Sequence, residues 1–315
     1  MDSFQRSYRP TAFMYGVVKK YGDDNGGSLS ALLTYYGFLS VFPLLLVVVT
    51  VLGLIAPPHS HLESRILNSA LTQFPVIGDK LAANISSLHG NSPISLTIGI
   101  LGLLWGATGV SQGAQYAMAQ VWNIPKMERP GFLPRLGRSG LLFSVGGVFL
   151  IVSSTLAGVA TFSGKQGLLF RIGGGVLSVL VDVVLFVIVF RILTPKMIPW
   201  ANLLRGSIAA GVIWAILQSL GVFLMDHELR HMSQVYGFFA IVLGLLWWIY
   251  LAAEVVVYCA EVNVVRARRL WPRGLVQPPL TAADMKALDM YAMVEHRRPE
   301  VTVMTRDSTG NSESA

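Results

Sequence analysis

Four side chains recur on one face of the last apolar stretch: Tyr250, Glu254, Tyr258 and Glu261, spaced 4, 4 and 3. On a helix that spacing puts all four on one stripe, with Trp247 a turn earlier. Asp182 stands near the middle of another apolar stretch. Ionisable groups in such surroundings cost about 2.5–3.5 kcal/mol on insertion scales, so each needs a partner, a proton or water. Two carboxylates and two phenols turned toward a bundle interior would line a hydrated path. Gln112 and Gln115, a turn apart, and Gln218 are the uncharged candidates for the same interior, and Arg191 is the cationic one. A structural role stands beside each: Asp182 bonded to a neighbouring helix, Glu261 neutralised by Arg266 or Arg191. Glu254 is the deeper and the harder to dismiss.

Signatures of enzyme chemistry are missing. There is no G-x-S-x-G and no H-E-x-x-H, and His59-Ser-His61 has no third ligand nearby. Gly164-Lys165-Gln166 lacks the glycine spacing and the Ser/Thr of a phosphate-binding loop. The expectation is a non-enzyme without metal or cofactor. Any transport would draw on a gradient, a partner ATPase or passive movement.

The elements that must position these residues are six long apolar stretches: 29–56, 94–122, 139–164, 172–190, 206–225 and 237–262. About 20 apolar residues span a membrane as a helix. The chain of 315 residues is 53% hydrophobic and only 13% charged, against about 25% charged in soluble domains. No soluble catalytic domain fits into what remains. Cys259 is the single cysteine, so an intrachain disulfide is excluded.

Charge orients the stretches. Four Lys/Arg fall in 1–28, four in 123–139, three in 191–205 and eight in 264–315, so nineteen of the 24 lie on one side. That is the positive-inside pattern, with both termini cytoplasmic. Anionic inner-leaflet lipid accounts for the basic excess, and nucleic acid is not expected as a partner. The organisation expected is a basic lead-in over 1–28, lying on the inner surface, and a six-helix transmembrane domain over 29–263. Residues 57–92 form an extracytoplasmic segment of short amphipathic helices. A basic, largely disordered tail follows over 264–315.

Two features of the spans concern packing. Gly99, Gly102, Gly106, Gly109 and Gly113 share one helix face, a groove that admits another backbone closely, as packing or as a sliding contact. Pro43 lies inside the first span and removes a backbone hydrogen bond there.

Around that proline the sequence resembles a known family. Ala31, Tyr35-Tyr36, Leu39-Ser40, Phe42-Pro43 and Leu44-Leu45 follow the A-x-x-x-Y-Y-x-x-L-S-x-F-P-L-L signature of the YihY/virulence factor BrkB family. Trp105 with Thr108-Gly109, Trp122-Asn123, Arg191 with Pro195, Pro199-Trp200, Arg205-Gly206, Tyr236-Gly237, Leu246-Trp247 and Ala260-Glu261 with Asn263 continue the likeness over about 15–270. The resemblance implies a six-span bacterial inner-membrane protein linked to serum resistance and to lipopolysaccharide export or lipid movement. The family's older name, ribonuclease BN, is generally regarded as a misassignment. Cys259 stands where a small glycine is expected and Glu254 where an apolar or small residue is. The family pattern thus supports Glu261, while Glu254 rests on physics.

The resulting expectation is an all-α polytopic protein of six transmembrane helices, working as a transporter or lipid translocator in envelope biogenesis. The alternative is a non-transporting scaffold that docks partners through its glycine-faced helix and basic tail. Membrane lipids with anionic headgroups at the cytoplasmic face are the expected partners, beside a homo-oligomer or envelope proteins.

Overall fold

A computed structural model describes residues 8–55, 93–162, 168–195, 197–224, 230–276 and 279–294. Among them the chain is all-helical, with no strand. Eight α-helices follow one another: α1 Arg9–Asp23, α2 Gly26–Ile55, α3 Pro93–Val121, α4 Phe132–Phe162, α5 Leu168–Leu193, α6 Leu204–Leu224, α7 Arg230–Arg268 and α8 Ala282–Val294. Each expected span falls on one of α2 to α7. Within the described residues, the segments Gly173–Leu193, Leu204–Gly221 and Val242–Arg268 are long and apolar enough to cross a membrane. Their outward side chains include Val176, Leu180, Ile216 and Leu243, an apolar surface suited to lipid. The expected extracytoplasmic helices of 57–92, with His59 and His61, lie outside the described residues, as does Lys165.

Backbone proximity holds the bundle together. On α3, a Cβ at Gly102 would sit 3.2 Å from the Pro43 ring, and one at Gly106 would sit 3.0 Å from Ser40 Cα. A Cβ at Gly109 would run into the Tyr36 ring. The glycine face is therefore filled by α2, through three signature residues, while Tyr35 points outward. Gly99 lies on the same helix, outside the described contacts. At the α5–α6 crossing a Cβ on Gly211 would approach the Val183 backbone nitrogen at 2.7 Å. Between α6 and α7, a Cβ on Gly206 would strike the Cys259 carbonyl, and the Gly206 N–H donates to Asn263 Oδ1 at 2.6 Å. A carbonyl on a helix cannot swing aside. Gly206→Ala should therefore cost about 1–3 kcal/mol through overpacking, read as lower thermal stability of the purified protein, whereas Gly140→Ala, with open space at that position, should cost nothing.

The helix ends at one pole of the bundle are tightly finished. After α3, Asn123 adopts φ 50°, and the N–H groups of Asn123 and Ile124 return to the carbonyls of Gln120 and Ala119 at 2.8 and 2.9 Å. After α7, Arg269 adopts φ 55°, and Arg269 and Leu270 return to Arg266 and Val265 at 3.4 and 3.0 Å. Both are Schellman endings, which normally place glycine at the left-handed position. The best-buried apolar side chains gather at this same pole, including Trp122, Phe190, Leu203, Val264 and Leu270. It also gathers α1, the α3–α4 and α5–α6 connections and α8, and is called the basic end below.

Two sequence expectations change here. The lead-in does not lie free on a surface: α1 packs under α7, with Ala12, Gly16, Val17 and Lys20 buried. Residues 264–276 and 279–294 are folded rather than disordered. Thr281 and Asp284 form a capping box at the start of α8, with the Asp284 N–H donating to Thr281 Oγ1 at 3.1 Å and the Thr281 N–H to Asp284 Oδ2 at 3.2 Å.

Candidate functional site

The acidic stripe of α7 meets α1. Tyr21 stacks on Tyr258 with ring centroids 3.9 Å apart and planes 6° from parallel, and its hydroxyl donates to Glu254 Oε1 at 3.1 Å. Burial, together with the neighbouring Glu254 carboxylate, pushes the Tyr21 phenol above its ordinary value, so it stays a donor. Tyr250 joins the group from one turn away: a Cβ on Gly27 would lie 3.7 Å from its hydroxyl and 4.0 Å from that of Tyr21. Trp247, expected on this stripe, is instead half exposed on the outer surface.

Two helical turns beyond Glu254, nearer the basic end, Glu261 is fully buried. Its partner is Lys20, also fully buried, with Nζ 3.3 Å from Glu261 Oε2. The pair is close enough to attract but not aligned as a hydrogen bond, and both Glu261 oxygens lack a donor. The Lys20 ammonium instead donates to Asp24 Oδ2 and to the Val121 carbonyl at 2.9 Å. Asn123 Nδ2 donates to the other Asp24 oxygen at 3.2 Å. The Tyr291 ring of α8 lies 5.7 Å from the ammonium. One cation thus holds two carboxylates, the end of α3 and the face of α8.

That arrangement corrects the expected neutralisers of Glu261. Arg266 is exposed, and Arg191 donates to the Ile198 carbonyl at 2.8 Å while its guanidinium lies 5.1 Å from the Trp200 ring. Arg191 braces the α5–α6 connection. Asp182 is only 6% exposed and makes no hydrogen bond or ion pair among the described residues, one position before the close approach of Val183 to Gly211. Gln115 donates to Ser111 Oγ at 3.3 Å and to the Arg135 carbonyl at 3.2 Å, tying α3 to α4. Gln112 and Gln218 are half-buried on α3 and α6. Tyr250, Glu254, Tyr258 and Glu261 therefore come together under α1, while Asp182, Gln115 and Arg191 sit apart.

A second polar knot holds α8 down. Arg273, 2% exposed, donates to Asp284 Oδ1 at 2.9 Å and to Asp23 Oδ2 at 2.8 Å. Lys19 donates to the same Asp284 oxygen at 3.1 Å and to the Gly274 carbonyl at 2.8 Å. Tyr291 donates to Asp23 at 3.2 Å. Sequence reasoning missed Lys20, Tyr21, Asp24, Arg273 and Asp284, although K-x-x-x-D ahead of an apolar run and T-x-x-D ahead of α8 were visible signals.

The virulence factor BrkB family model matches residues 17–280. The chain belongs to the virulence factor BrkB family. Among relatives of this BrkB-family protein, a UPF0761 membrane protein of Alteromonas mediterranea is 23% identical over 257 residues, 79% of this chain and 85% of the relative. Another, from Acinetobacter baylyi, is 22% identical over 261 residues, 80% of this chain but 61% of its own length. A Bacillus subtilis protein named as ribonuclease-like, YfkH, is 22% identical over 275 residues, covering 82% and 96%. No solved structure matches. The two UPF0761 relatives are described as membrane proteins, and the residues matched by the family model include α1 from Val17 onward, α2 to α7 and the Arg273 loop.

Proposed function

We propose that this BrkB-family protein is a six-span inner-membrane transporter or translocator of anionic amphiphiles, serving envelope biogenesis without enzymatic activity and with both termini cytoplasmic. Six long helices coincide with the six apolar stretches, and the basic end carries the positive excess that the inner leaflet favours. The observation that carries the reading is the α7 stripe, which runs from Tyr250 to Glu261 and is closed at the basic end by Lys20 and Tyr21 of α1. A polar track sealed at one end by a polar latch is what access from alternating sides requires. Withdrawing α1 opens the track to a headgroup, while acyl chains stay against the apolar outer faces of α5 to α7. Asp182 supplies a further ionisable group within the span.

The scaffold reading loses its expected docking surface, because α2 already covers Gly102, Gly106 and Gly109. The test is movement of headgroup-labelled anionic lipid across liposomes containing the purified protein. Wild type should move label, and Asp182→Asn and Glu254→Gln should each slow it by at least about tenfold, the loss expected when a transport step loses about 1.4 kcal/mol of stabilisation. Folded, incorporated wild type that moves no lipid would sink the proposal.

A further inference from the structure

Beside the latch, the basic end contains a pocket of about 720 Å³ that the translocation reading does not use. Four arginines line it: Arg9 from the start of α1, Arg205 from the first turn of α6, and Arg266 and Arg269 from the end of α7. No acidic residue lines it, and none of the four makes an ion pair among the described residues. Four unpaired guanidinium groups around one cavity repel one another, an arrangement that an anion relieves. The pocket wall also carries Asn263 and Trp271. Asn263 is 1% exposed, and its Nδ2 has no hydrogen-bond acceptor, although its Oδ1 is used by Gly206. Trp271 Nε1 is likewise buried without an acceptor. Donors orphaned in this way are uncommon in folded proteins. The start of α6 adds the positive end of a 21-residue helix.

Backbone conformation points the same way. Arg269 occupies the left-handed position that ends α7, φ 55°, where glycine is the favoured residue. A long branched side chain held in that region is a local cost, and such costs gather where a side chain is needed. The left-handed residue that ends α3, Asn123, uses its side chain to hold Asp24, whereas the Arg269 side chain has no protein partner among the described residues and lines the pocket.

We infer that this pocket is a phosphate-binding site, in which Arg9, Arg205, Arg266 and Arg269 clamp the phosphate group of a ligand. Planar guanidinium groups match phosphate oxygens two at a time, and several of them together select a doubly charged phosphate over a carboxylate. The phosphate belongs either to a lipid headgroup entering from the inner leaflet or to a soluble phosphate compound. The site stands whether or not the protein translocates anything, because binding is read at equilibrium.

The experiment uses the full-length protein in phosphatidylcholine nanodiscs, with two probes. One is inorganic pyrophosphate, followed by calorimetry; the other is fluorescent phosphatidic acid, followed by energy transfer from the protein's tryptophans. The informative variant is Arg269→Gly, which removes the guanidinium yet places the favoured residue at the helix end, so its thermal stability should equal or exceed wild type. Binding of at least one probe should weaken tenfold or more in Arg269→Gly and in Arg205→Gln, and should fall with added salt. Pyrophosphate binding without lipid preference assigns a soluble ligand; phosphatidic acid binding alone assigns a headgroup. Both results uphold the site. Failure of wild type to bind either probe overturns it, as does variant binding within twofold of wild type. Loss of binding in Arg269→Gly with normal lipid movement separates this site from the translocation path.

Discussion

Replacing Lys20 by methionine should destabilise the protein by about 3–5 kcal/mol, the range found when one partner of a buried ion pair is removed. Lys20 is fully buried, and among the described residues its ammonium is the only cation paired with Asp24 and Glu261. The Lys20→Met variant leaves both carboxylates in a poorly polarisable interior and strips the Val121 carbonyl of its donor. Thermal denaturation in detergent reads the loss, which should appear first at α1. The companion variant is Lys20→Met with Asp24→Asn and Glu261→Gln, which keeps volume but removes every charge. Replacing a whole buried ionic group by apolar residues is often close to neutral for stability; the buried amides and the unpaired Val121 carbonyl keep part of the cost, so this triple variant should recover much, not all, of the loss. A Lys20→Met protein as stable as wild type would show that the cluster holds nothing.

The triple variant also separates two roles for the cluster. As a pin, it only fixes α1 beneath α7, and a stable uncharged version should move lipid at the wild-type rate. As a latch, it must release α1 and take it back in each cycle, and a neutral version biases that equilibrium. A ligand or substitution shifts a two-state element only by its difference in free energy between the states. A few kcal/mol removed from one state is ample, and the translocation rate should then change although the fold does not.

The spans of this protein were legible because apolar runs of about 20 residues or more, broken at most by a lone carboxylate or two, have few other solutions. The glycine face of α3 was legible too, since a 3-4-3-4 spacing has meaning only on a helix. Its neighbour was not: nothing in the glycines says that Tyr36, Ser40 and Pro43 fill the groove. Glu254 and Glu261 stood out because carboxylates are costly in apolar surroundings, but their partners lie more than 230 positions earlier. Lys20 sits beside Lys19 in a basic segment, and composition makes the two equivalent. Burial separates them: Lys20 turns into the core, while Lys19 reaches α8 from a partly exposed position. In the tail, net positive charge suggested disorder, yet Arg273 is buried and Thr281 caps a helix. A charge count carries no information on which charges are paired. The Arg269 conformation was out of reach, because the sequence shows an arginine where the backbone asks for glycine.

Asp284→Ala should release α8 from the basic end. Asp284 is fully buried and accepts from five donors: the Gly274 and Thr281 N–H groups, the Thr281 hydroxyl, Arg273 and Lys19. Burial alone would raise its carboxyl, but the donors outweigh it and hold the group well below the ordinary carboxylate range. Truncation leaves the buried Arg273 guanidinium with Asp23 as its remaining carboxylate, so the local loss should reach about 3–5 kcal/mol. Because this knot holds α8 to the bundle, the expected readout is new proteolytic cleavage within 269–281, with α2 to α7 intact. The pH dependence has a definite sign. A carboxyl lowered by folding stabilises the folded state fully above its unfolded value, about 3.9, and loses that stabilisation as pH falls through the lower folded value. Protection of α8 in wild type should therefore be flat from about pH 5 to 8 and weaken only in stronger acid. Asp284→Asn should be weaker throughout and lose that acid dependence. Cleavage that increases between pH 6 and 7 in wild type would assign the docking of α8 to a different titrating group.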